Sequence, residues 1–504
     1  MMAPLQPEQM DYLRDESRHT GRAAQIAFPR TEADVSAILA EARRARLPVT
    51  LQGARTGVTG GAVPDGGLIL NLSQMNQILD AGETLRVQPG VTLQTIRQAL
   101  PSGRAFTPDP TETTASIGGM VACNASGANS FLYGPTRNHV AALRVMLANG
   151  ECLELRRGRD QARSTNFTLG SVAGTLPSLP RPAVKNAAGY FVEPDMDLLD
   201  LFIGAEGTLG IITEVTLRLL PAPAAIWGLM AFLPGTAAAV QYVNTLRDEA
   251  RAAAAATSAA APPAQLAALE YFDANCLAFL HQHRDALATR GIPVPALPEG
   301  AACIYAEWHG PSAAANEAAA LAAAEHLPAL NADPDACILA DNPHDMEKLK
   351  TFRHAVPELV NATIDERRRR HPDLAKLGTD MSVPDARLGH ILARYENDLA
   401  AAGLENLIFG HIGANHLHVN ILPRTPADYA AGRDLYTRWA AQVIAWGGSI
   451  SAEHGIGKIK RDLFRQMAGD AALARMRALK KILDPDTLLN PGNILEPSET
   501  PAPP

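Results

Sequence analysis

The sequence predicts a multidomain α+β protein, and three observations lead to this fold class. The chain has 504 residues, more than one ordinary hydrophobic core accommodates, so two or more domains are expected. Short strand-like and helix-like segments alternate over residues 31–100, as in structures that layer helices on sheets. Segments rich in glycine and small residues interrupt this pattern before Pro221, and the composition becomes alanine-rich after it.

The first helix is predicted at residues 31–46. Thr31 is a suitable N-cap, acidic residues follow it in the first turn, and Pro48 ends the helical pattern. The apolar residues that recur at helical spacing are Val35, Ile38, Leu39 and Ala42. The alternation continues with a strand at 48–51, a strand and turn at 67–79, a strand ending at Pro89, and a helix capped by Thr92.

Residues 48–64 form a loop that offers little except backbone. Its predicted ligand-binding residues are Gly53, Thr56, Gly57, Thr59, Gly60 and Gly61. Glycine lets the chain approach a ligand closely, so successive N–H groups can converge on an anion such as a pyrophosphate. The spacing matches neither the nucleotide-triphosphate loop nor the dinucleotide fingerprint G-x-G-x-x-G. Taken alone, the loop is as consistent with a cluster of turns as with a cofactor cradle.

A second glycine-rich stretch begins at Phe106. Its predicted ligand-binding residues are Pro108, Asp109, Ser116, Gly118, Gly119, Asn124 and Gly127. Two such stretches could hold the two ends of one elongated ligand, and a helix between Gly118 and Ala125 could point its N-terminus at a phosphate. Further stretches of small residues lie at 183–190 and 201–221.

Composition excludes several classes of function. A net charge of −8 argues against general nucleic-acid binding, and the basic run at 367–370 is better interpreted as a solvated or anion-attracting patch. The five cysteines include no C-x-x-C pair, which argues against an iron–sulfur cluster and favours a reducing compartment. Acidic residues near the N-terminus argue against export, so a cytoplasmic protein is expected, with peripheral membrane association as an alternative.

Two regions of the sequence are compatible with more than one structure. Residues 219–246 carry no charge, but prolines and glycines interrupt them, so a strand, a turn and the start of a helix are predicted rather than a membrane span. The alanine-rich residues 237–268 and 313–324 are predicted to be helices, because alanine has the highest helix propensity. Disorder remains an alternative for residues 250–264.

The histidines concentrate in the C-terminal half. Residues 409–423 carry His411, His416 and His418 in a strand-like alternation, with a bend expected at Gly413. Residues 447–460 then carry Glu453 and His454 between glycines. Imidazole and carboxylate are ligands for zinc or manganese, so a divalent metal site is predicted. The alternative is that these histidines satisfy one another in a core.

Taken together and in order, these motifs resemble the flavoprotein family of vanillyl-alcohol-oxidase type, in its D-lactate, glycolate and D-2-hydroxyglutarate dehydrogenase branch. The motifs are the loop at 53–61, PDPTETTASIGG, YGPTRNHV, GAEGTLGIITEVTL, the histidine segment and NPGNIL. The resemblance implies an FAD-binding domain of two α+β subdomains at 1–222, an α+β cap domain at 223–445, and a C-terminal segment at 446–504 that returns to the flavin. Residues 48–64 contain no histidine, so FAD is expected to bind non-covalently.

The resemblance also assigns roles to individual residues. Residues 53–61 would hold the pyrophosphate, and the stretch from Pro108 to Gly127 would continue along the cofactor. Glu206, Gly207 and Ile211 match positions near the ribityl and adenine portions, and Asn490 matches a position beside the flavin. The metal ligands would be His411, His418 and Glu453. Asn420 matches a pocket residue, Arg353 the substrate-carboxylate arginine, and His454 the catalytic base, expected to titrate near neutrality.

Two departures from the family pattern affect these assignments. Ala414, Asn415 and His416 replace the usual Asp-Gly-Asn, so a carboxylate is expected to be missing beside the metal. Gly378 stands where relatives that act on larger diacids carry lysine, which favours a smaller monoacid; Lys376 is a weaker second cation.

The implied function is FAD-dependent oxidation of a D-2-hydroxy acid, D-lactate first and glycolate next, by hydride transfer to flavin N5. The electron acceptor would be a quinone, a cytochrome, a flavoprotein or a partner subunit. Alternatives are a flavin subunit of a multi-subunit glycolate or D-2-hydroxyglutarate dehydrogenase, and a non-redox flavin-dependent alkyl transferase.

Overall fold

The computed structural model describes residues 1–255, 263–292, 294 and 297–497. Along this part of the chain the strands are β1 (Ala3–Pro4), β2 (Gln25–Ala27), β3 (Val49–Gln52), β4 (Leu68–Asn71), β5 (Ile78–Ala81), β6 (Thr84–Val87), β7 (Arg104–Ala105), β8 (Val140–Met146), β9 (Cys152–Arg156), β10 (Asn166–Leu169), β11 (Val172–Thr175), β12 (Ile211–Arg218), β13 (Leu220–Pro221), β14 (Ala225–Leu233), β15 (Gln265–Phe272), β16 (Ala302–Gly310), β17 (Ile338–Ala340), β18 (Leu377–Gly378), β19 (Met381–Ser382), β20 (Asn406–Gly410) and β21 (His416–Ile421).

The α-helices of the same residues are α1 (Glu32–Arg44), α2 (Leu93–Gln98), α3 (Ile117–Cys123), α4 (Ser130–Tyr133), α5 (Thr236–Ala255), α6 (Ala274–Gln282), α7 (Arg284–Thr289), α8 (Ala313–Glu325), α9 (Pro343–Arg368), α10 (Leu388–Ala402), α11 (Pro426–Ala445), α12 (Arg461–Ala468) and α13 (Asp470–Leu483).

The N-terminal part of the chain builds two separate sheets. The first has the order β1-β2-β4-β3, with β4 parallel to both of its neighbours, and α1 packs its apolar face into this core. The predicted cap of α1 is confirmed, because the Asp34 N–H donates to the Thr31 hydroxyl at 3.1 Å. The second sheet is antiparallel, with the order β5-β6-β12-β8-β9. Helix α3 packs on β12 and carries the second glycine-rich stretch into the structure.

A third, larger sheet follows Pro221, with the order β17-β14-β16-β15-β20-β21-β18 and β19 paired to β21. Helices cover both of its faces, because α5, α8 and α10 share one core with the sheet while α6 and α9 share another. The strand, turn and helix predicted within residues 219–246 are confirmed as β14 and α5. Among the described helices, none is long and apolar enough to cross a membrane.

The two alanine-rich segments differ in secondary structure. Residues 313–324 form α8 as predicted, but the helix predicted over 237–268 ends at Ala255 and is followed by strand β15. The helical prediction for residues 265–268 is therefore wrong, because Ala267 and Ala268 lie fully buried in the sheet, where tertiary packing overrides intrinsic propensity. Residues 256–262, within the segment for which disorder was an alternative, lie outside the described residues.

The C-terminal residues return to the first sheet. Helix α13 ends at Leu483, before the predicted stop at Asp484, and Asn490 reaches β3. The Asn490 side-chain oxygen accepts the Leu51 N–H at 2.6 Å, and the Val49 N–H donates to the Leu488 carbonyl at 2.8 Å. The segment after α11 also contacts the first glycine loop, because the Lys458 N–H donates to the Thr59 carbonyl at 3.0 Å. This contact places residues 447–460, which carry Glu453 and His454, beside the first glycine loop.

Candidate functional site

One cleft of about 1250 Å³ brings together residues that are far apart in the sequence. The first glycine loop lines one part of it, and the histidine segment lines another. Of the residues predicted to have a function, those lining it are Thr56, Thr59, Gly60, Asp109, Arg353, His411, His418, Asn420, Glu453 and His454. A cleft of this size is at or above the upper end of small-ligand pockets, so it suits an elongated cofactor together with a substrate.

The hairpin between β20 and β21 positions the histidines. His411 follows β20, a single 3₁₀ turn covers Ile412–Ala414, and Asn415 takes a left-handed conformation with φ of 51°. The expected bend is present, but the residue in the left-handed conformation is Asn415 and not Gly413. Gly413 is required for packing instead, because a Cβ there would lie 2.8 Å from the Phe131 ring.

His411 and His418 both present Nε2 to the Glu453 carboxylate. Nδ1 of His411 lies 2.8 Å from a Glu270 oxygen, and Nδ1 of His418 lies 3.0 Å from the Thr379 carbonyl oxygen. Because both partners are acceptors, each Nδ1 carries a hydrogen, and Nε2 is the nitrogen that faces Glu453. The two Nε2 atoms lie 3.3 Å and 3.1 Å from Glu453 oxygens. Such a cluster attracts a cation, either a proton on Nε2 or a metal ion bound to its lone pair.

The pKa of His411 is consistent with a cation at this cluster. Burial, the largest effect, disfavours the charged His411 ring, but the carboxylates of Glu270 and Glu453 outweigh it and raise the pKa of His411 to about 9. A proton, or a metal ion in its place, is therefore held between the two carboxylates. The outer hydrogen bond from His411 to Glu270 is the type of contact that orients metal-ligating histidines.

His416 is arranged differently from the other two histidines. Its Nδ1 accepts from the Lys185 ammonium at 3.2 Å, and its Nε2 lies 3.0 Å from Asp380 Oδ1. His416 therefore belongs by distance to the same cluster as His411, His418 and Glu453, but its ring nitrogens face Lys185 and Asp380, and Nε2 makes no hydrogen bond within the described residues. Lys185 also lies 2.8 Å from Glu453 Oε2.

Asp380 is the principal site residue that the sequence did not identify. It is fully buried, and its carboxylate accepts the backbone N–H groups of Glu453 at 3.1 Å and His454 at 3.0 Å. Lys460 neutralises it at 2.5 Å. With Asp380 and Glu270 present, the expectation that a carboxylate is missing beside the site is wrong, because other elements supply it.

No sequence pattern marked these supporting residues. Asp380 is a lone acidic residue in a short edge segment, and Lys185 stands within a stretch of small residues that was noted only for its backbone. Glu270 is a single acidic residue in an otherwise apolar strand, β15. The charge of Glu270 within a mostly apolar strand was the one sequence signal that could have identified any of these three residues.

His454 faces the cleft with about a third of its side chain exposed. Its ring stacks near His418, with centroids 5.4 Å apart and planes inclined by 20°. Burial lowers the pKa of His454 to about 4, although Asp380 and Glu453 act in the opposite direction. The expectation that this imidazole titrates near neutrality is therefore wrong; it is neutral at pH 7 and able to accept a proton.

Arg353 lies inside the cleft, on α9. Its guanidinium carbon is 4.3 Å from the centroid of the Tyr305 ring, and within the described residues it makes no ion pair with a carboxylate. Burial, the largest effect, lowers its pKa, but Tyr305 and the acidic groups of Glu270 and Glu307 outweigh this, so the pKa is raised. The guanidinium is thus charged, and because no described carboxylate pairs with it, it can bind an anionic ligand.

The two glycine-rich stretches pack directly on one another. A Cβ on Gly53 would lie 2.1 Å from Ser116 Oγ, and a Cβ on Gly127 would lie 1.9 Å from the Asp109 carbonyl oxygen. A Cβ on Gly118 would lie 2.6 Å from Pro89 Cβ. A side chain at any of these glycines would therefore crowd its neighbours, and the contact between Gly53 and Ser116 joins the two stretches into one wall.

Other predicted cofactor residues lie behind that wall. The Glu206 carboxylate accepts the Ile456 and Gly457 N–H groups at 2.6 and 2.8 Å, and burial raises its pKa to about 6. Gly207 adopts a φ of 68° against Asn490, and Ile211 is fully buried in the first core. The described contacts of Glu206 and Asn490 hold loops together, so direct cofactor contact by this group remains a prediction.

This arrangement fits an elongated nucleotide cofactor. Thr56, Thr59 and Gly60 of the first loop and Asp109 of the second stretch line the same cleft as a cationic arginine, Arg353, and a histidine, His454. A cofactor that carries two phosphates and a planar ring suits this sequence of surfaces.

Comparisons with known proteins agree with that fit. The family described as "FAD binding domain" matches residues 23–156, and "FAD linked oxidases, C-terminal domain" matches residues 236–494. A protein named "Probable D-lactate dehydrogenase, mitochondrial" from Danio rerio is 30% identical over 97% of this chain and 87% of its own. "D-2-hydroxyglutarate dehydrogenase" from Xanthomonas citri pv. viticola is 30% identical, covering 97% of this chain and 93% of its own.

Two further comparisons extend the agreement. "Glycolate oxidase subunit GlcD" from Bacillus subtilis is 29% identical over 93% of this chain and 88% of its own. The solved structure of alkyldihydroxyacetonephosphate synthase superposes with a TM-score of 0.63 at 16% identity, covering 94% of this chain and 77% of that one, which shows a shared fold. The two matched domains and the relatives that align over nearly the whole chain agree with the geometry of the cleft. The chain belongs to the FAD-linked oxidase family of flavin-dependent oxidoreductases.

Proposed function

We propose that this protein is an FAD-dependent dehydrogenase that oxidises a D-2-hydroxy acid to the 2-oxo acid. One observation carries the proposal: a half-buried guanidinium that pairs with no carboxylate among the described residues, and a cluster of converging imidazole and carboxylate groups, line the same cleft as the glycine loop. The names of the relatives, which are dehydrogenases of D-lactate and D-2-hydroxyglutarate and a glycolate oxidase subunit, give the class of substrate.

Different residues of the chain would bind the substrate and the cofactor. Arg353 binds the substrate carboxylate, for which its planar fork of donors is suited. Asn420 lines the same cleft and offers an amide to the substrate. When bound, FAD supplies the redox chemistry by accepting a hydride. The glycines of 53–61 and the stretch from Pro108 to Gly127 would hold it non-covalently.

His454 takes the proton of the substrate hydroxyl. It is neutral at pH 7, and its backbone N–H is fixed by Asp380, so the ring is held at a set place in the cleft. General bases of this kind contribute about 10²- to 10⁴-fold to the rate.

His411, His418 and Glu453 would hold a divalent metal, zinc or manganese. The tautomers fixed by Glu270 and Thr379 support this set and leave His416 outside it. A metal there would polarise the hydroxyl and carboxylate oxygens of the substrate.

D-Lactate is the proposed substrate, with glycolate next. Gly378 lines the cleft where relatives that act on larger diacids carry lysine, and this favours a small monoacid, although Lys376 lines the same cleft. Electrons would leave to a separate acceptor, such as a quinone, a cytochrome, a flavoprotein or a partner subunit. The proposed domain boundaries are 1–222, 223–445 and 446–504, and the proposed location is the cytoplasm.

The decisive experiment is anaerobic mixing of the purified flavoprotein with D-lactate, glycolate and D-2-hydroxyglutarate, monitored by flavin absorbance. Bleaching by D-lactate, with little by L-lactate, is the expected result. Bleaching by D-2-hydroxyglutarate alone would replace the proposed substrate. An unbleached flavin with all three acids would reject the proposed activity.

A further inference from the structure

We propose that Tyr133, His309, Glu307 and Tyr305 form a positioning network for Arg353, so that a helix next to the cofactor-binding stretch sets the affinity for the substrate's carboxylate. The inference deepens the proposed function and rests on it in taking Arg353 as the carboxylate-binding group. None of the four residues contacts the cleft directly; they act through Arg353.

The network begins on one face of strand β16. Tyr305, Glu307 and His309 are two residues apart, so their side chains project on the same side of the sheet. The Tyr305 hydroxyl donates to Glu307 Oε2, and His309 Nε2 lies 2.8 Å from Glu307 Oε1. All three residues are buried. Glu307 is thus held on both of its oxygens.

The hydrogen positions follow from the chemistry of the groups. An ionised Glu307 can only accept, so His309 Nε2 donates to it, and His309 Nδ1 is left as an acceptor. The Tyr133 hydroxyl lies 2.6 Å from that nitrogen and donates to it. Every polar atom in the chain from Tyr133 to Tyr305 therefore has a partner, and fully satisfied buried networks of this kind are rigid.

The Tyr305 ring is the surface on which Arg353 rests. The guanidinium carbon is 4.3 Å from the ring centroid, the distance of a cation–π contact. The hydroxyl tether to Glu307 fixes the ring at one end. Gly228 on β14 also packs against it, since a Cβ there would lie 3.0 Å from Tyr305 Cε2. A fixed ring next to a planar guanidinium fixes the direction of the guanidinium donors.

The far end of the network lies on α4, which follows the second glycine-rich stretch. Tyr133 is the last residue of this helix, and Phe131 on the same helix packs against Gly413, two residues after His411. Just before the helix, the Ser126 hydroxyl donates to Glu453 at 2.7 Å. The segment 126–133 therefore contacts the metal-type cluster directly and is linked to the arginine through His309, Glu307 and Tyr305.

The test compares tyrosine-to-phenylalanine variants of the full holoenzyme. Tyr305→Phe keeps the ring under Arg353 and removes its tether, and Tyr133→Phe removes the outermost link. Tyr242→Phe is the matched control, because it deletes a fully buried hydroxyl that donates to the Ala323 carbonyl at 3.1 Å on a different helix. Arg353→Lys reports which part of the binding depends on the guanidinium.

The probes are pyruvate and 2-oxoglutarate, which carry the carboxylate and cannot be oxidised at C2. Their affinities are measured by titration calorimetry on the oxidised enzyme. We expect Tyr305→Phe and Tyr133→Phe to weaken binding about three- to tenfold, the loss of one hydrogen bond, and Tyr242→Phe to leave it unchanged. The limiting rate of flavin reduction by the accepted hydroxy acid should stay within about twofold in all three variants.

Three results would overturn the inference: unchanged affinity in both network variants, a fall in limiting rate without a fall in affinity, or binding of the probes that is absent or independent of Arg353. The proposed function can fail separately. If no hydroxy acid bleaches the flavin but probe binding still depends on Arg353 and weakens in both variants, the network stands and the proposed reaction does not.

Discussion

Asp380 lies directly behind His454 and accepts its backbone N–H at 3.0 Å, although 74 residues separate them in sequence. The same carboxylate accepts the Glu453 N–H and is neutralised by Lys460, so one buried charge fixes both the proposed base and a proposed metal ligand. The position of His454 is therefore set by its backbone as well as by its ring contacts.

Replacing the proposed base should stop the reaction and leave the cofactor in place. His454→Ala is expected to lower the rate of flavin reduction by about 10²- to 10⁴-fold. FAD content, measured from the absorbance ratio of the purified protein, should not change, because the described contacts of the His454 ring are to His418, Asp380 and Glu453. A variant that bleaches at the full rate would remove His454 from this role.

Neutralising Asp380 should destabilise the protein. Asp380→Asn leaves the buried Lys460 without its partner, and breaking a buried pair costs about 3 to 5 kcal/mol. The double variant Asp380→Asn with Lys460→Met removes both charges and should recover part of that loss. Thermal unfolding of the three proteins measures the effect, and equal stability of the single variant and the wild type would contradict it.

Metal removal should separate the histidines into two classes. Dialysis against a chelator is expected to lower the rate of flavin reduction without releasing FAD, and zinc or manganese should restore it. His411→Ala and His418→Ala should lower the metal content measured by mass spectrometry. His416→Asn should retain the metal, because both ring nitrogens of His416 are directed at Lys185 and Asp380. Equal metal loss in all three variants would contradict the assignment.

Two glycines of the first loop provide a matched test of packing. Gly53→Ala places a Cβ 2.1 Å from Ser116 Oγ and should destabilise the apoprotein by about 1 to 3 kcal/mol. Gly57→Ala meets nothing within 4 Å and should change stability by less than about 0.5 kcal/mol. Adding Ser116→Gly to Gly53→Ala should restore stability. If the alanine at Gly53 is tolerated as well as the one at Gly57, the close packing of the two stretches is not needed.

Asp273 should make stability depend on pH. Burial raises its pKa to about 7, although the Cys276 N–H donates to it at the start of α6. The folded protein therefore binds a proton that the unfolded chain has lost between about pH 4 and 7, and the contribution of Asp273 to stability falls as pH rises through that range. Asp273→Asn keeps an N-cap and should weaken the fall. Melting temperatures of both proteins at pH 5 and pH 8 measure the difference, which should be absent if Asp273 titrates normally.

The sequence predicted local features well where one segment determines its own structure. The cap at Thr31, the strand and helix within residues 219–246, and the end of α13 all depend on nearby residues, and all three are confirmed. The alanines of β15 misled the helical prediction because sheet pairing with β16 and β20 decides their conformation. Local propensity carries no information about such partners.

In the candidate site, too, the sequence revealed residues that cluster locally and missed those defined by distant contacts. His411, His418, Glu453 and His454 could be selected because they cluster in two short segments. Asp380, Lys185 and Glu270 could not, since each is a single charged residue whose importance arises from contacts with residues distant in the chain. The pKa of His454 was also beyond the sequence, because burial by several separate elements sets it.

The return of residues 488–490 to β3 has a consequence for biosynthesis. Leu51 and Asn490 are 439 positions apart, so the edge of the first sheet waits for almost the entire polypeptide to emerge from the ribosome. A nascent chain that already contains its glycine loop still lacks the segment that pairs with β3. The first sheet is therefore expected to be completed only after residues 488–490 have been synthesised.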